Sequence, residues 1–249
     1  MKKLLSIFAL IGVLAFSTTQ AYTQDAQDPT TEEAAGDSAS FQQQIKNKFI
    51  EGGPTFMWPI LICLILGLAI SIERIITLNL ATTNTKKLLG QIEDALAKGG
   101  IEAAKDVTKN TRGPVASIFT QGLMRSSEGI EMVEKSIVSY GGVEMARLER
   151  GLIWVSLFIS LGPMLGFFGT VIGMVNAFDA IEAAGDISPQ VVAGGMKTAL
   201  ITTVGGLIVG MVLQTLYNYL VSKIDSLVNS MEDASIALVD ILVKHKLSK

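Results

Sequence analysis

The chain has 249 residues, of which 49% are hydrophobic and only 17% charged, and its formal net charge is −3. That balance is too apolar for an ordinary soluble domain and points to a polytopic membrane protein. Near-neutral charge with no basic cluster interleaved with aromatics excludes a nucleic-acid partner, and one Cys with one His excludes an internal disulfide and leaves no metal-ligating constellation.

The first stretch, MKKLLSIFALIGVLAFSTTQA, places two lysines before an apolar core of 13 residues, Leu4 to Phe16, and ends in small polar residues at Ala21. The core is short of the ~20 residues a membrane helix needs, so residues 1–21 read as a signal peptide. Residues 22–55 are expected outside the membrane: an acidic stretch to Ser40 rich in Thr, Ala, Gln and Asp, then FQQQIKNKFIEGG as a short amphipathic helix leading to the membrane surface.

Three apolar runs follow. The first, 56–78, has Trp58 and Pro59 at one rim and Glu73 and Arg74 at the other; the second covers 152–178; the third covers 198–220, with Tyr217 and Tyr219 at its exit. Between Asn79 and Arg150 lie ten Lys or Arg, whereas the link from Asp179 to Met196 has none. The positive-inside rule therefore puts segment 79–151 and the tail 221–249 in the cytoplasm, and the N-terminus and the link 179–197 outside. Cys63, inside the first run, reads as a lipid-facing or packed apolar residue, and His245 as a solvated tail residue.

The cytoplasmic segment has helical texture. NTKKLLGQIEDALAKGG sets Leu88, Leu89, Ile92 and Leu96 on one face and closes in a glycine pair that suits a helix stop. Arg112-Gly113-Pro114 breaks the chain, and a charged helix from Glu128 to Arg150 is expected to run directly into the second span. Beyond the third span, Val221, Ile224, Val228, Met231, Ser235, Leu238 and Leu242 recur three and four apart, a packing seam that extends the third helix well into the cytoplasm.

Lipid provides no hydrophobic drive between helices, so their association depends on close approach through small residues. The second span carries Gly162, Gly166, Gly169, Thr170 and Gly173, and the third carries Thr198, Thr202, Thr203, Gly205, Gly206 and Gly210. Such faces suit tight packing and would let identical helices gather around a lumen. No ionisable residue lies in the interior of the second or third span. A proton path through the membrane needs a protonatable group there, so a carboxylate would have to come from a partner, with Thr170, Thr202 and Thr203 offering it a polar seam.

The blocks RGPVASIFTQGL, EMARLERGLIWVSLFISLGPMLGFFGTVIGMVNAF and GGMKTALITTVGGLIVGMVLQTLYNYL resemble the ExbB/TolQ/MotA proton-channel family, in its three-span ExbB and TolQ branch, over roughly Ala95 to Met231. The resemblance implies an all-α bacterial inner-membrane protein: three long transmembrane helices extended into the cytoplasm, a helical cytoplasmic loop domain, and a homo-oligomeric ring of typically five copies. It implies an ExbD-like single-span partner carrying a membrane Asp, and a TonB-like protein that carries the work of proton passage to the outer membrane. It also assigns Thr170 and Thr203, with Thr202 beside them, to the channel lining, and Gly162, Gly166, Gly169, Gly173, Gly206 and Gly210 to helix packing. Many relatives carry a Glu just before the segment that reads ALITT here, where this chain has Thr198 with Lys197 beside it. The function so implied is a proton-channel and stator subunit energising TonB-dependent transport, without cofactor, metal or enzymatic activity; a TolQ-like motor of envelope integrity and a non-conducting membrane scaffold are the alternatives. The lack of inverted repeats and interior charges speaks against a secondary transporter, and no nucleophile elbow or phosphate loop supports an enzyme.

Overall fold

The protein's architecture is given by a computed structural model that describes residues 41–185 and 189–247. The signal-peptide reading and the acidic stretch up to Ser40 lie outside the described residues. Among the described residues the regular elements are helical: α1 (Phe41–Glu51), α2 (Pro54–Ala81), α3 (Thr85–Lys109), α4 (Pro114–Met124), a 3-10 turn (Ser126–Glu128), α5 (Ile130–Leu148), α6 (Leu152–Ala184) and α7 (Pro189–Leu247).

Three helices are long and apolar enough to cross a membrane, and they contain the three expected runs. α2 starts at Pro54, where a missing N–H costs nothing because the first turn's amides have no helical acceptor. α7 is unbroken for 59 residues. At 1.5 Å per residue that is roughly 88 Å, about three times the hydrocarbon thickness of a bilayer. Most of α7 therefore has to extend beyond any membrane it crosses, as the spacing of its apolar residues anticipates.

α2 packs on both α6 and α7, and α6 and α7 make the most extensive helix–helix contact of the fold. The far half of α7 serves a different purpose. Its buried residues Leu220, Ile224, Leu227, Met231, Ala234, Leu238 and Leu242 form one stripe against the apolar faces of α3, α4 and α5, which supply Leu88, Ile92, Phe119 and Val133. The expected seam shares Ile224, Met231, Leu238 and Leu242 with this stripe, while Val221, Val228 and Ser235 fall on its half-buried flank. Leu220, Leu227 and Ala234 take the central places, because the helix turns the seam by one residue toward its N-terminal side.

Two connections differ from the sequence reading, each for a local reason, and one agrees with it. The glycine pair Gly99–Gly100 does stop the helix: Gly100 adopts φ 67°, ψ −159°, outside the helical region, and a second helical stretch runs on to Lys109, so that α3 is two helices meeting at a kink. Only a residue without a Cβ takes that backbone conformation cheaply. The charged helix does not run directly into the second span, since it ends at Leu148 and Gly151, at φ 92°, turns the chain before α6 begins. Finally, α6 continues past Phe178 to Ala184 and α7 begins at Pro189, so most of the link 179–197 is helical.

Phe119 is completely buried at the centre of the α3–α5 cluster. Phe119→Ala is expected to remove about 3–5 kcal/mol of stability through lost contact and the cavity left behind, seen as a lower melting temperature of the detergent-purified protein. Val138→Ala, at a residue 76% exposed, should leave the melting temperature unchanged.

Candidate functional site

The contact of α6 with α7 is made backbone to backbone. On α6, Gly162, Gly166, Gly169 and Gly173 are all buried. A Cβ on Gly162 would sit 3.1 Å from the Gly206 carbonyl, one on Gly166 2.9 Å from the Thr202 carbonyl, and one on Gly173 3.2 Å from the Ala199 Cβ. From the other side, Gly206 rests against the backbone of Gly162 and Gly166, and a Cβ on Gly210 would meet the Pro163 ring at 3.0 Å and the Ile159 carbonyl at 3.4 Å. That last contact has a purpose, because Pro163 has no N–H for the Ile159 carbonyl one turn back. A glycine there leaves room for the ring and the freed carbonyl.

The complementary small faces therefore meet, but within one chain. The expectation that these glycines let identical helices gather is corrected: their close-approach surface is occupied by the α6–α7 pair of the same chain. The cause is the four-residue link between the helices, residues 185–188, which holds the two small stripes at high effective concentration.

Three threonines sit at the middle of this contact, and the structure separates them. Thr202 is 0% exposed, donates its hydroxyl to the Ala199 carbonyl at 2.8 Å and is wedged against Gly169. It turns into the helix–helix contact rather than toward an open face. Thr170 and Thr203 are half-buried and hydrogen-bonded to each other across the two helices. The Thr170 hydroxyl also lies 3.1 Å from the Ala199 carbonyl and 3.2 Å from the Gly166 carbonyl, and Thr203 lies 3.3 Å and 3.4 Å from the same two acceptors. Two hydroxyls carry two protons, whereas the acceptors within reach are the two carbonyls and the hydroxyls themselves. The pair can therefore reverse which threonine donates, and it can turn a proton or a lone pair toward a third group without breaking the fold.

The half-exposed edge of this pair continues along α7. Leu207, Gln214 and Asn218 lie on the same stripe as Thr203, are exposed, and include a Gln214 Nε2 to Asn218 Oδ1 hydrogen bond of 2.9 Å. Sequence reasoning looked for charges and hydroxyls and passed over these amides; counting 203, 207, 214 and 218 as one helical stripe would have found them. Further along, a groove of ≈ 430 Å³ between α6 and α7 is lined by Ser156, Tyr217, Asp225 and Glu149, among others. At the opposite end Thr198 leaves the threonine group and donates to the Glu51 carbonyl at 3.0 Å. The two half-buried hydroxyls thus stand on a stripe without interior charge, with polar groups toward either end.

A family model described as the MotA/TolQ/ExbB proton channel family matches residues 110–233, nearly the extent on which the sequence resemblance rests. The chain is 32% identical over 170 residues to a biopolymer transport protein ExbB homolog of Methanothermobacter thermautotrophicus, covering 68% of this chain and 60% of that protein. It is 27% identical over 168 residues to biopolymer transport protein exbB1 of Vibrio cholerae, covering 61% and 68%. Over 84 residues it is 33% identical to the Tol-Pal system protein TolQ of Haemophilus influenzae, 34% of this chain and 37% of that one. Among solved structures, that of C. jejuni MotAB matches with a TM-score of 0.54 over 78% of this chain and 76% of the matched chain, at 16% identity, a likeness of fold.

Adding side-chain volume at the closest approach is expected to separate α6 from α7. Gly166→Leu should lower both the yield of folded protein and its melting temperature, the cost being of order 1–3 kcal/mol or more. Gly90→Ala on α3, where a Cβ meets nothing within 4 Å, should stabilise the protein by roughly 0.5–1 kcal/mol; thermal unfolding of the two purified variants beside the unmodified protein checks both.

Proposed function

Because this chain belongs to the MotA/TolQ/ExbB proton channel family, we propose that it is the channel and stator subunit of a bacterial inner-membrane motor that uses the proton motive force to energise TonB-dependent outer-membrane transport. The observation that carries this reading is the Thr170–Thr203 pair: two mutually bonded hydroxyls, half-exposed on a helix pair whose interior contains no ionisable residue. A charge at the bilayer centre costs ~3 kcal/mol or more, so a subunit that borrows its carboxylate avoids that cost in its own helices. The partner that fits is a single-span, ExbD-like protein with an Asp at the depth of the two threonines. Its carboxylate would accept from the pair when ionised and donate to it when protonated, and the reversible hydroxyls accommodate both states.

In this reading the α6–α7 pairs of several copies, typically five, surround the partner's helix, with the stripe of Thr203, Leu207, Gln214 and Asn218 toward the lumen. The α1 end is periplasmic, and α3 to α5 with the far half of α7 are cytoplasmic, in line with the ten basic residues between Asn79 and Arg150. The groove at Ser156, Tyr217 and Asp225 then lies where a proton leaves. Each charge that crosses 100 mV releases ~2.3 kcal/mol, enough for a few protons to drive a modest displacement against contacts as weak as ~0.6 kcal/mol per interhelical hydrogen bond. A TonB-like protein takes up that displacement.

The likeness to TolQ over 84 residues favours a second reading of the same class, a motor of the Tol system serving envelope integrity. Identification of the proteins that co-purify with the tagged chain from its native membrane distinguishes the two. Recovery of a homo-oligomer with no acidic single-span partner would sink both and leave a scaffold.

Thr170→Val and Thr203→Val keep the side-chain shape and delete only hydroxyls whose bonds are worth ~0.6 kcal/mol each in membranes. Both variants are expected to express and assemble like the unmodified protein and to abolish proton flux in liposomes containing the purified complex. Unchanged flux in both would remove the two threonines from the path.

A further inference from the structure

Between its start at Pro189 and Ser222, α7 carries a single charged residue, Lys197. It stands six positions before Thr203, roughly 9 Å along the helix axis, at the end where α1 approaches. Left alone there, it would oppose any cation entering the threonine seam. The chain places Glu51, the last residue of α1, against it: Glu51 Oε1 lies 3.0 Å from Lys197 Nζ, while Oε2 lies 2.9 Å from Lys48 Nζ one turn back. Lys48 first and then Lys197 hold the Glu51 carboxyl below its ordinary range, so it stays ionised.

The backbone around Glu51 is seated as well. Its carbonyl accepts the Thr198 hydroxyl at 3.0 Å, and a Cβ on Gly52 would come within 2.9 Å of Ile201 Cγ2. Charge, hydrogen bond and close approach thus fall on consecutive residues of one turn and bind the end of α1 to residues 197–201 of α7. Among the described residues, Asp179 and Glu182 on the last turns of α6 form no ion pair with Lys197, which has Glu51 as its partner. An ion pair this exposed adds little to stability, so its use has to be sought in the charge it cancels.

We infer that Glu51 is the counter-charge of Lys197: it seats α1 on α7 and keeps the adjoining end of the threonine seam passable to cations. The inference rests on the conduction reading for its effect on flux and on the α1–α7 contacts alone for its effect on structure. An uncompensated charge on the order of 10 Å from the path lowers the local cation population by roughly twofold to fifteenfold, the range set by dielectric constants between water and a protein surface.

The test uses the complex purified with its native partners and reconstituted in liposomes, with proton flux driven by a potassium diffusion potential and read by an internal pH dye. Glu51→Gln is expected to lower flux roughly twofold to fifteenfold, Glu51→Gln with Lys197→Gln to restore it, and Lys197→Gln alone to match the unmodified protein or exceed it. Normal flux in Glu51→Gln, or a double variant as slow as Glu51→Gln, overturns the assignment. If the unmodified complex and its Thr170→Val variant both leak no more than empty liposomes, the conduction reading itself fails. The seating is then judged separately by the distance between spin labels at Asn47→Cys and Ala193→Cys, both exposed positions, with labelled copies diluted among unlabelled ones. Broadening of that distance by Gly52→Leu, which fills the close approach to Ile201, supports the seating of α1 on α7, and an unchanged narrow distance refutes it.

Discussion

Everything in this fold that bears on function depends on how closely the backbones of α6 and α7 approach. In a bilayer the apolar side chains of two helices gain nothing by leaving lipid for each other, so contact has to come from packing and from polar groups brought within bonding distance. Gly162, Gly166 and Gly206 remove the side chains that would hold the helices apart. As a result the Thr170 and Thr203 hydroxyls reach carbonyls on the opposite helix, Ala199 and Gly166 respectively. The hydroxyl pair is thus a product of the glycines, since a leucine at any of these positions would move it out of reach.

That same economy explains the division of labour along α7. Its first half meets α6 through small residues and stays free of charge except at Lys197, whereas its second half meets α3, α4 and α5 through large aliphatic ones. Outside the membrane water restores the hydrophobic drive, and a stripe of Leu, Ile and Met then suffices to hold helices together at ~25 cal/mol per Å² of apolar surface buried. The composition changes midway along one helix, as a passage from lipid to water would require. α2 completes the arrangement by covering the remaining side of α6 and α7, with Gly67 of α2 placed against Leu213.

Much of this was legible in the sequence because it is periodic. Three apolar runs of the right length, small residues four apart in two of them, and a three-four recurrence beyond the third are local signals, and the helices and the paired small faces follow from them. What escaped was of two kinds. Some features depend on a single backbone conformation: Gly151, at φ 92°, turns the chain between α5 and α6, where the sequence reads as one helix feeding directly into the span. Others depend on residues far apart in the chain. Glu51 meets Thr198 across 147 positions, and the side on which Thr202 faces is fixed by Gly169 of another helix. Gln214 and Asn218 are an intermediate case, visible as a stripe only once Thr203 has been chosen as its origin.

The uninterrupted course of α7 has a mechanical consequence. From Met211 to Leu247 it contains neither glycine nor proline, the residues at which helices usually bend. Met211 and Leu242 therefore belong to one uninterrupted rod, on the order of 46 Å apart at 1.5 Å per residue, while Gly205, Gly206 and Gly210 lie between it and Thr203. A small tilt of its Met211 end is multiplied by that lever arm at the far end. The helical cluster clasping the far half of α7 grips the same rod, so its packing sets how freely that rod can tilt.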